Sequence, residues 1–260
     1  MAYETIKVEE AAPGVKVIAF NRPEVANALS TKMGRELLEV WISLANDHDL
    51  RCVILRGEGK HFQAGADLKE RNGMTDEQWA DQHRLFEAMI RAQLACPVPV
   101  IAAVHGAAMG GGCEMTLACD FAYAAEGARF GLPEANLGIL PGLGGGPLLV
   151  RAVGPRRALE LITTAQPFTA EQALEWGLVN GITPGSELLP RVLEVAKTIA
   201  GRAPLSVRGA KKIVHRSQDL DLPHAMNFEL EIYNRLFTTH DRREGVAAFN
   251  EKRAPSFEGR

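Results

Sequence analysis

Residues 105–120 read HGAAMGGGCEMTLACD, and this glycine triplet with a glutamate close behind it limits the folds open to the chain. Gly110, Gly111 and Gly112 stand together, Glu114 follows, and the apolar runs VPVIAAV and MTLAC flank them. A glycine run weakens helix and strand alike, because the unfolded chain has most backbone freedom there. A glutamate is seldom buried without a partner. The two features together point to a tight junction between a strand, residues 100–104, and a helix, residues 113–119, with the glycines as the turn. Backbone amides at a helix start lack internal partners and carry partial positive charge. Glycine lets a ligand come close to them, so such a turn holds an anion or polarises a carbonyl oxygen. Glu114 has two readings at this point: a solvated first-turn carboxylate, or a general base beside that amide.

The chain around this junction alternates. Residues 5–8 and 15–20 read as strands joined by the turn AAPG. Ser30 or Thr31 caps a helix in which Met33, Leu37, Val40, Trp41 and Leu44 recur at helical spacing. Residues 52–55 form a buried strand, and residues 75–95 a helix with Trp79, Leu85, Phe86, Met89 and Ile90 on its apolar side. Residues 121–124 form a further strand. Alternation favours a parallel sheet with crossover helices, and the short runs suggest coiled β-β-α turns rather than a six-stranded open sheet. After Gly146 the segments 147–153, 156–164, 169–176, 187–201, 205–217, 222–237 and 240–251 all read as helical. The expected division is a β-β-α core over residues 1–195 and a C-terminal helical oligomerisation or lid region over 196–260.

Length and composition narrow the class. The 260 residues suit one large domain, and 46% hydrophobic with 23% charged residues argues against disorder. The formal charge of −3 gives no pull toward nucleic acid or anionic membrane. The four cysteines, Cys52, Cys96, Cys113 and Cys119, form no metal-ligand spacing and sit in apolar stretches, as in a reducing compartment. The opening MAYETIKVEE lacks a signal pattern, and no apolar window is long enough to cross a membrane, so a cytoplasmic protein is expected.

Two further segments carry candidate chemistry. Glu134, in FGLPE, precedes an apolar, turn-rich loop; a carboxyl held among Leu132, Leu137, Ile139 and Leu140 would be desolvated and keep its proton near neutral pH. It is otherwise an exposed loop glutamate. The loop HFQAGADLKE offers a second close backbone approach at Gly65, with the Ala66 amide as a second donor. Asp67 and Lys69 cap and solvate the next helix, or Lys69 meets a phosphate. PGLGGGP, residues 141–147, lacks the last glycine of a dinucleotide fingerprint, and there is no P-loop lysine or nucleophile elbow. His105 reads as structural, and the Arg156–Arg157 and Lys211–Lys212 pairs as solvated helix faces.

The segments NRPEVANALS, FQAGADLKE, AAMGGGCEMTLACD, FGLPEANLGILPGLGG and EGVAAFNEKRAPSF together resemble the enoyl-CoA hydratase/isomerase, or crotonase, superfamily, in its order and spacing over nearly the whole chain. The resemblance implies an α/β fold, a spiral core of β-β-α units with a C-terminal helical region, assembled as a homotrimer or homohexamer. It implies an acyl-CoA thioester substrate, a role in fatty-acid β-oxidation, and no metal or separate cofactor, coenzyme A being part of the substrate. Ala66 and Gly111 then supply the two amides of an oxyanion hole, and Glu114 and Glu134 the acid and base. Ala66, Asp67, Leu68, Lys69, Gly111, Gly142, Phe249 and Lys252 are the implied substrate-binding residues. Both glutamates are kept, which favours a hydratase over an isomerase needing one carboxylate; a cyclic or aromatic enoyl-CoA substrate, or a non-catalytic CoA- or RNA-binding member, are the alternatives. The chain departs from the family pattern at Glu24, where a basic residue often follows NRP, and at GPLLV (146–150), where many hydratases carry a TQRL-like stretch.

Overall fold

Two β-prone runs on either side of the Pro13-Gly14 turn set the start of the fold. In the computed structural model, which describes residues 3–260 and so leaves the first two residues of MAYETIKVEE outside, β1 (Ile6–Ala12) and β2 (Val15–Phe20) pair antiparallel. Ser30 is the cap of α1 (Thr31–Ala45): its Oγ accepts from the Met33 amide at 3.2 Å. The five apolar residues spaced along this helix are all buried. β3 (Cys52–Gly57) follows, then the single turn α2 (Leu68–Arg71) and the long α3 (Asp76–Leu94), which opens on a reciprocal Thr75–Gln78 capping box. β4 (Val100–Val104), β5 (Ala107–Met109), α4 (Gly111–Leu117), β6 (Phe121–Ala125) and β7 (Arg129–Gly131) complete the centre, and a 3-10 turn spans Pro133–Leu137.

The second half is mostly helical: α5 (Gly145–Val153), α6 (Pro155–Thr164), α7 (Ala170–Glu175), α8 (Leu188–Ala200), α9 (Pro204–Ser217), α10 (Leu222–Leu236) and α11 (His240–Glu251). All seven expected helices are present. Two short strands were not foreseen, β8 (Phe168–Thr169) and β9 (Gly181–Thr183). They are too short for a period-2 pattern to register.

One expectation needs correcting. The larger sheet does have six strands, in the order β1-β2-β3-β4-β6-β9, and is parallel from β2 onward. The repeating β-β-α unit coexists with it, because each unit sends its second strand elsewhere. β4 and β6 lie in the large sheet, while β5 and β7 lie in a three-stranded sheet ordered β5-β7-β8. A bridge from Gln63 to Ala108 brings the chain after β3 to the same small sheet. The result is an α/β spiral with helices gathered at the C-terminal end.

Both faces of the large sheet are covered, which explains its nearly continuous apolar strands. Ile18, Phe20, Val53 and Leu55 face the main core with α1 and α3. Val15, Val17, Cys52 and Ile54 face the other way, against Leu188, Val192 and Ala196 of α8. All four cysteines are buried free thiols.

Lys211 is not on a solvated face. Its Nζ donates to Asp120 Oδ2 at 2.8 Å and to the Val98 carbonyl at 2.9 Å, tying α9 to the sheet. Asp120 also accepts from the Val100 amide at 2.7 Å and pairs with His215 at 2.6 Å, and these donors hold its carboxyl below the usual range despite burial. Removing one side of a buried pair strands the other charge, so Asp120→Ala should destabilise the protein by about 3 kcal/mol at neutral pH. A carboxyl with a lowered folded pKa stabilises above its unfolded pKa and loses that effect in acid. Denaturant midpoints of the two proteins, well separated at pH 7, should therefore converge toward pH 3.

Candidate active site

The glycine triplet is used position by position. Gly110 sits at φ 51 and ψ −122, a backbone that side chains rarely adopt, and starts α4. A Cβ there would stand 3.0 Å from Glu134 Oε1. Gly111 and Gly112 are already helical, so α4 begins two residues before the expected start at 113. At Gly112 a Cβ would fall 2.2 Å from the Gln63 carbonyl oxygen. The first turn of α4 is thus pressed directly on the backbone of the loop 63–66.

That loop is fixed from its other side. The Leu29 amide donates to the Gly65 carbonyl at 2.8 Å, and the Asp67 amide donates to the Leu29 carbonyl at 2.9 Å. Gln63, fully buried, accepts the Gly65 amide on its side-chain oxygen at 2.9 Å. The Ala66 amide, between these bonds, points to the side away from Leu29 and has no protein acceptor among the described residues. The Gly111 amide, first in its helix, likewise has none. A Cβ on Gly65 would lie 3.7 Å from the Gly111 nitrogen, so the two free donors belong to adjoining backbones.

Ala66 and Gly111 open on one cavity of about 410 Å³, which Glu114 and Glu134 also line. Glu114 is one turn into α4, where its Oε1 accepts from the Leu143 amide at 2.6 Å and the Gly145 amide at 2.8 Å. Burial pushes its pKa up to about 7, against those two donors; Glu134 adds to the rise and Arg71 opposes it. Glu134, on the Pro133–Leu137 turn, has its pKa raised by burial, and its Oε2 is buried with no partner. Two unlike carboxyls, one gripped by amides and one unpartnered, face the same space as two amide donors. The arrangement can polarise a carbonyl oxygen and move protons at neighbouring atoms.

The other expected residues divide. Leu68 and Gly142 line the cavity. Leu137, Ile139 and Leu140 line it too; of the residues expected to shield Glu134, Leu132 is buried while Leu137 and Leu140 stay exposed, and Gly110 at the start of α4 also lies against it. Asp67 caps α2 and pairs with Arg22 at 3.0 Å. Lys69 is exposed on α2, and Phe249 and Lys252 are exposed on or just after α11; none of these four lines the cavity. PGLGGGP anchors Glu114 through its backbone. His105 meets the Gly59 carbonyl at 3.0 Å, a structural contact as expected.

The sequence reading missed Arg71 and His83, both on the cavity wall. Trp79, His83 and Phe86 stand four and three residues apart, one face of α3 turned to the cavity. That spacing was visible; which way the face turned was not.

A sequence model of the family described as "Enoyl-CoA hydratase/isomerase" matches residues 10–260. The chain is similar to the crystal structure of an enoyl-CoA hydratase from Bacillus anthracis, with TM-score 0.97 and 41% identity, covering 99% of this chain and 100% of that one. It is 40% identical over 240 residues to a short-chain-enoyl-CoA hydratase of Clostridium acetobutylicum, covering 92% of each. It is 38% identical over 258 residues to a crotonyl-CoA hydratase of Syntrophomonas wolfei, covering 99% of each.

The raised carboxyl has a consequence for stability. A group whose folded pKa lies above its unfolded value stabilises at low pH and loses that contribution as pH rises through the folded value. Glu114→Gln removes the cost of burying a charge. Its stability relative to the wild type should therefore grow between about pH 4.5 and about pH 7, by on the order of 3 kcal/mol. Urea denaturation across that range reads the difference.

Proposed function

The chain belongs to the enoyl-CoA hydratase/isomerase family, and on that premise we propose that its cavity adds water across C2=C3 of a 2-enoyl-CoA thioester through two backbone amides and two glutamates. The full-length relatives mark it as an enzyme, an enoyl-CoA hydratase and so a carbon–oxygen lyase. The observation that carries the reading is the convergence of two unpartnered amides and two dissimilar carboxyls on one cavity.

In this reading the thioester oxygen accepts from the Ala66 and Gly111 amides. Charge gathers on that oxygen as water attacks C3, and fixed donors aimed there lower the barrier; losing one typically costs about 2.7–4 kcal/mol. Ionised Glu114, its Oε1 already gripped, takes the proton of the attacking water on Oε2. Protonated Glu134 delivers its proton to C2. One water is added, and the proton passes from Glu114 back to Glu134 through solvent before the next turnover. The amide donors favour the charged form of Glu114, and the partnerless oxygen of Glu134 favours its neutral form; this supports the assignment.

Coenzyme A enters as part of the substrate, so the reaction needs no separate cofactor. Lys69, exposed on α2 just beyond Ala66, suits the CoA phosphates. Phe249 and Lys252 reach the CoA end only in the assembled protein or with α11 closed over it. A homotrimer or homohexamer is supported by an exposed apolar stripe on and just after α10, Leu222, Met226, Leu230, Tyr233 and Phe237. A cytoplasmic place in fatty-acid β-oxidation accords with the buried free thiols and the absence, among the described residues, of a helix able to cross a membrane.

Crotonyl-CoA should lose its conjugated double bond in the presence of the protein. Glu114→Gln and Glu134→Gln should each lower kcat by roughly 10²–10⁴-fold while binding of a saturated acyl-CoA persists. Loss of binding with loss of turnover, or no hydration of any 2-enoyl-CoA by the wild type, refutes the proposal. The kcat/KM profile should be bell-shaped. Below the first ionisation of the pair no base is present, and above the second no acid remains. Each Gln variant should remove one limb.

A further inference from the structure

The cavity contains a cation with no salt bridge to any carboxylate of the described residues. Arg71, the last residue of α2, lines it, and no carboxylate among the described residues lies within 4 Å of its guanidinium. Its one protein hydrogen bond runs from Nε to the Gln82 side-chain oxygen at 2.8 Å. The remaining four N–H groups have no protein acceptor among the described residues. Glu70, next in sequence, is engaged elsewhere, accepting from the Thr31 amide at 2.9 Å and from Gln82 Nε2 at 3.1 Å. The guanidinium carbon lies 4.2 Å from the centre of the Trp79 ring, a contact that helps hold the group in place before any ligand arrives. Burial lowers its pKa, against the longer-range pull of Glu70 and Glu114.

An apolar acyl pocket has no need of this group. A cavity for a plain alkyl tail is served by Leu29, Trp79, Phe86 and Leu140, and an unpaired charge beside them only penalises such a tail. An arginine with a free fork of donors, held against an aromatic ring, matches a carboxylate held by two parallel bonds. Arg71 lines the same cavity as Ala66 and Gly111, so the fork and the two amide donors face one space.

Resting on the reading of the site as an enoyl-CoA hydratase, we infer that the acyl group it takes ends in a carboxylate, received by Arg71. The substrate class is the mono-CoA thioester of a short unsaturated dicarboxylic acid. Arg71 is then a specificity residue at the far end of the tail, opposite the amides that hold the thioester oxygen.

The test compares tails of equal length. The diacid esters glutaconyl-CoA and hex-2-enedioyl-CoA are set against pent-2-enoyl-CoA and hex-2-enoyl-CoA. The wild type should favour the charged tail, at one length or both, by about tenfold or more in kcat/KM. Arg71→Met should lower the charged-to-neutral ratio by about 100-fold, and Arg71→Lys should recover part of it. Using the ratio removes any effect of Arg71 on Glu114 that both tails share. Saturated glutaryl-CoA and pentanoyl-CoA, which cannot be hydrated, should show the same order of binding by calorimetry in Glu114→Gln. Preference for the neutral tail at both lengths overturns the inference. So does an equal loss on both tails in Arg71→Met, which would make Arg71 a wall or a charge for Glu114. The wild-type comparison needs no variant, so a poorly folding Arg71→Met leaves the test standing. If no ester is hydrated, the hydratase reading fails, and the calorimetry still decides the role of Arg71.

Discussion

The site depends on one contact between two stretches of main chain: the first turn of α4 against the loop 63–66. With any residue but glycine at position 112, a Cβ would meet the Gln63 carbonyl oxygen at 2.2 Å, and the helix would have to retreat. The Gly111 amide would retreat with it, away from the Ala66 amide on the adjoining backbone. Both amides are free because each sits where regular structure runs out, one at a helix start and one between the bonds of an isolated bridge. The unusual cost of three glycines in an apolar stretch thus goes into bringing two main-chain donors together.

The carboxyls depend on the same contact. Gly110 carries no side chain where Glu134 lies, and Glu114 follows one turn further along α4. Their surroundings differ in kind. Glu114 is buried but held by two amides, whereas Glu134 is buried with one oxygen bare. Desolvation raises both, while at Glu114 two amide donors oppose the rise and Glu134 adds to it. Such unlike surroundings are how two residues of one type can be given different protonation behaviour. Arg71 adds a third charge to the same small space, and its field reaches Glu114.

Much of this was legible in the chain, and the pattern of misses is physical. Ser30 as a cap, the buried stripe of α1, β4 and all seven later helices follow from local rules, and the structure has them. β5, β7, β8 and β9 are two or three residues long and exist only through partners far away in sequence. The same reason hid the sixth strand of the large sheet. Lys211 looked like a solvated charge because its partner, Asp120, is 91 residues away. Around the site, Ala66, Gly111, Glu114 and Glu134 sit in motifs whose glycines and prolines betray close backbone approach. Arg71 carried no such mark. The segment ADLKER shows four charged side chains within six residues, and only tertiary packing decides that Lys69 faces water and Arg71 the cavity.

The grip on Glu114 comes from the amides of Leu143 and Gly145, not from side chains. Main-chain groups survive nearly every point substitution, so this part of the machinery is insulated from ordinary sequence drift. Residues around it, such as Leu140 and Pro147, are free to vary without loosening it. What it does not tolerate is a change in loop length between Gly138 and α5, since one inserted or deleted residue moves both amides off the carboxyl at once. Descendants of this chain are thus expected to hold the length of 141–147 constant and to keep Gly145, where a Cβ would stand 2.9 Å from Glu114 Oε1.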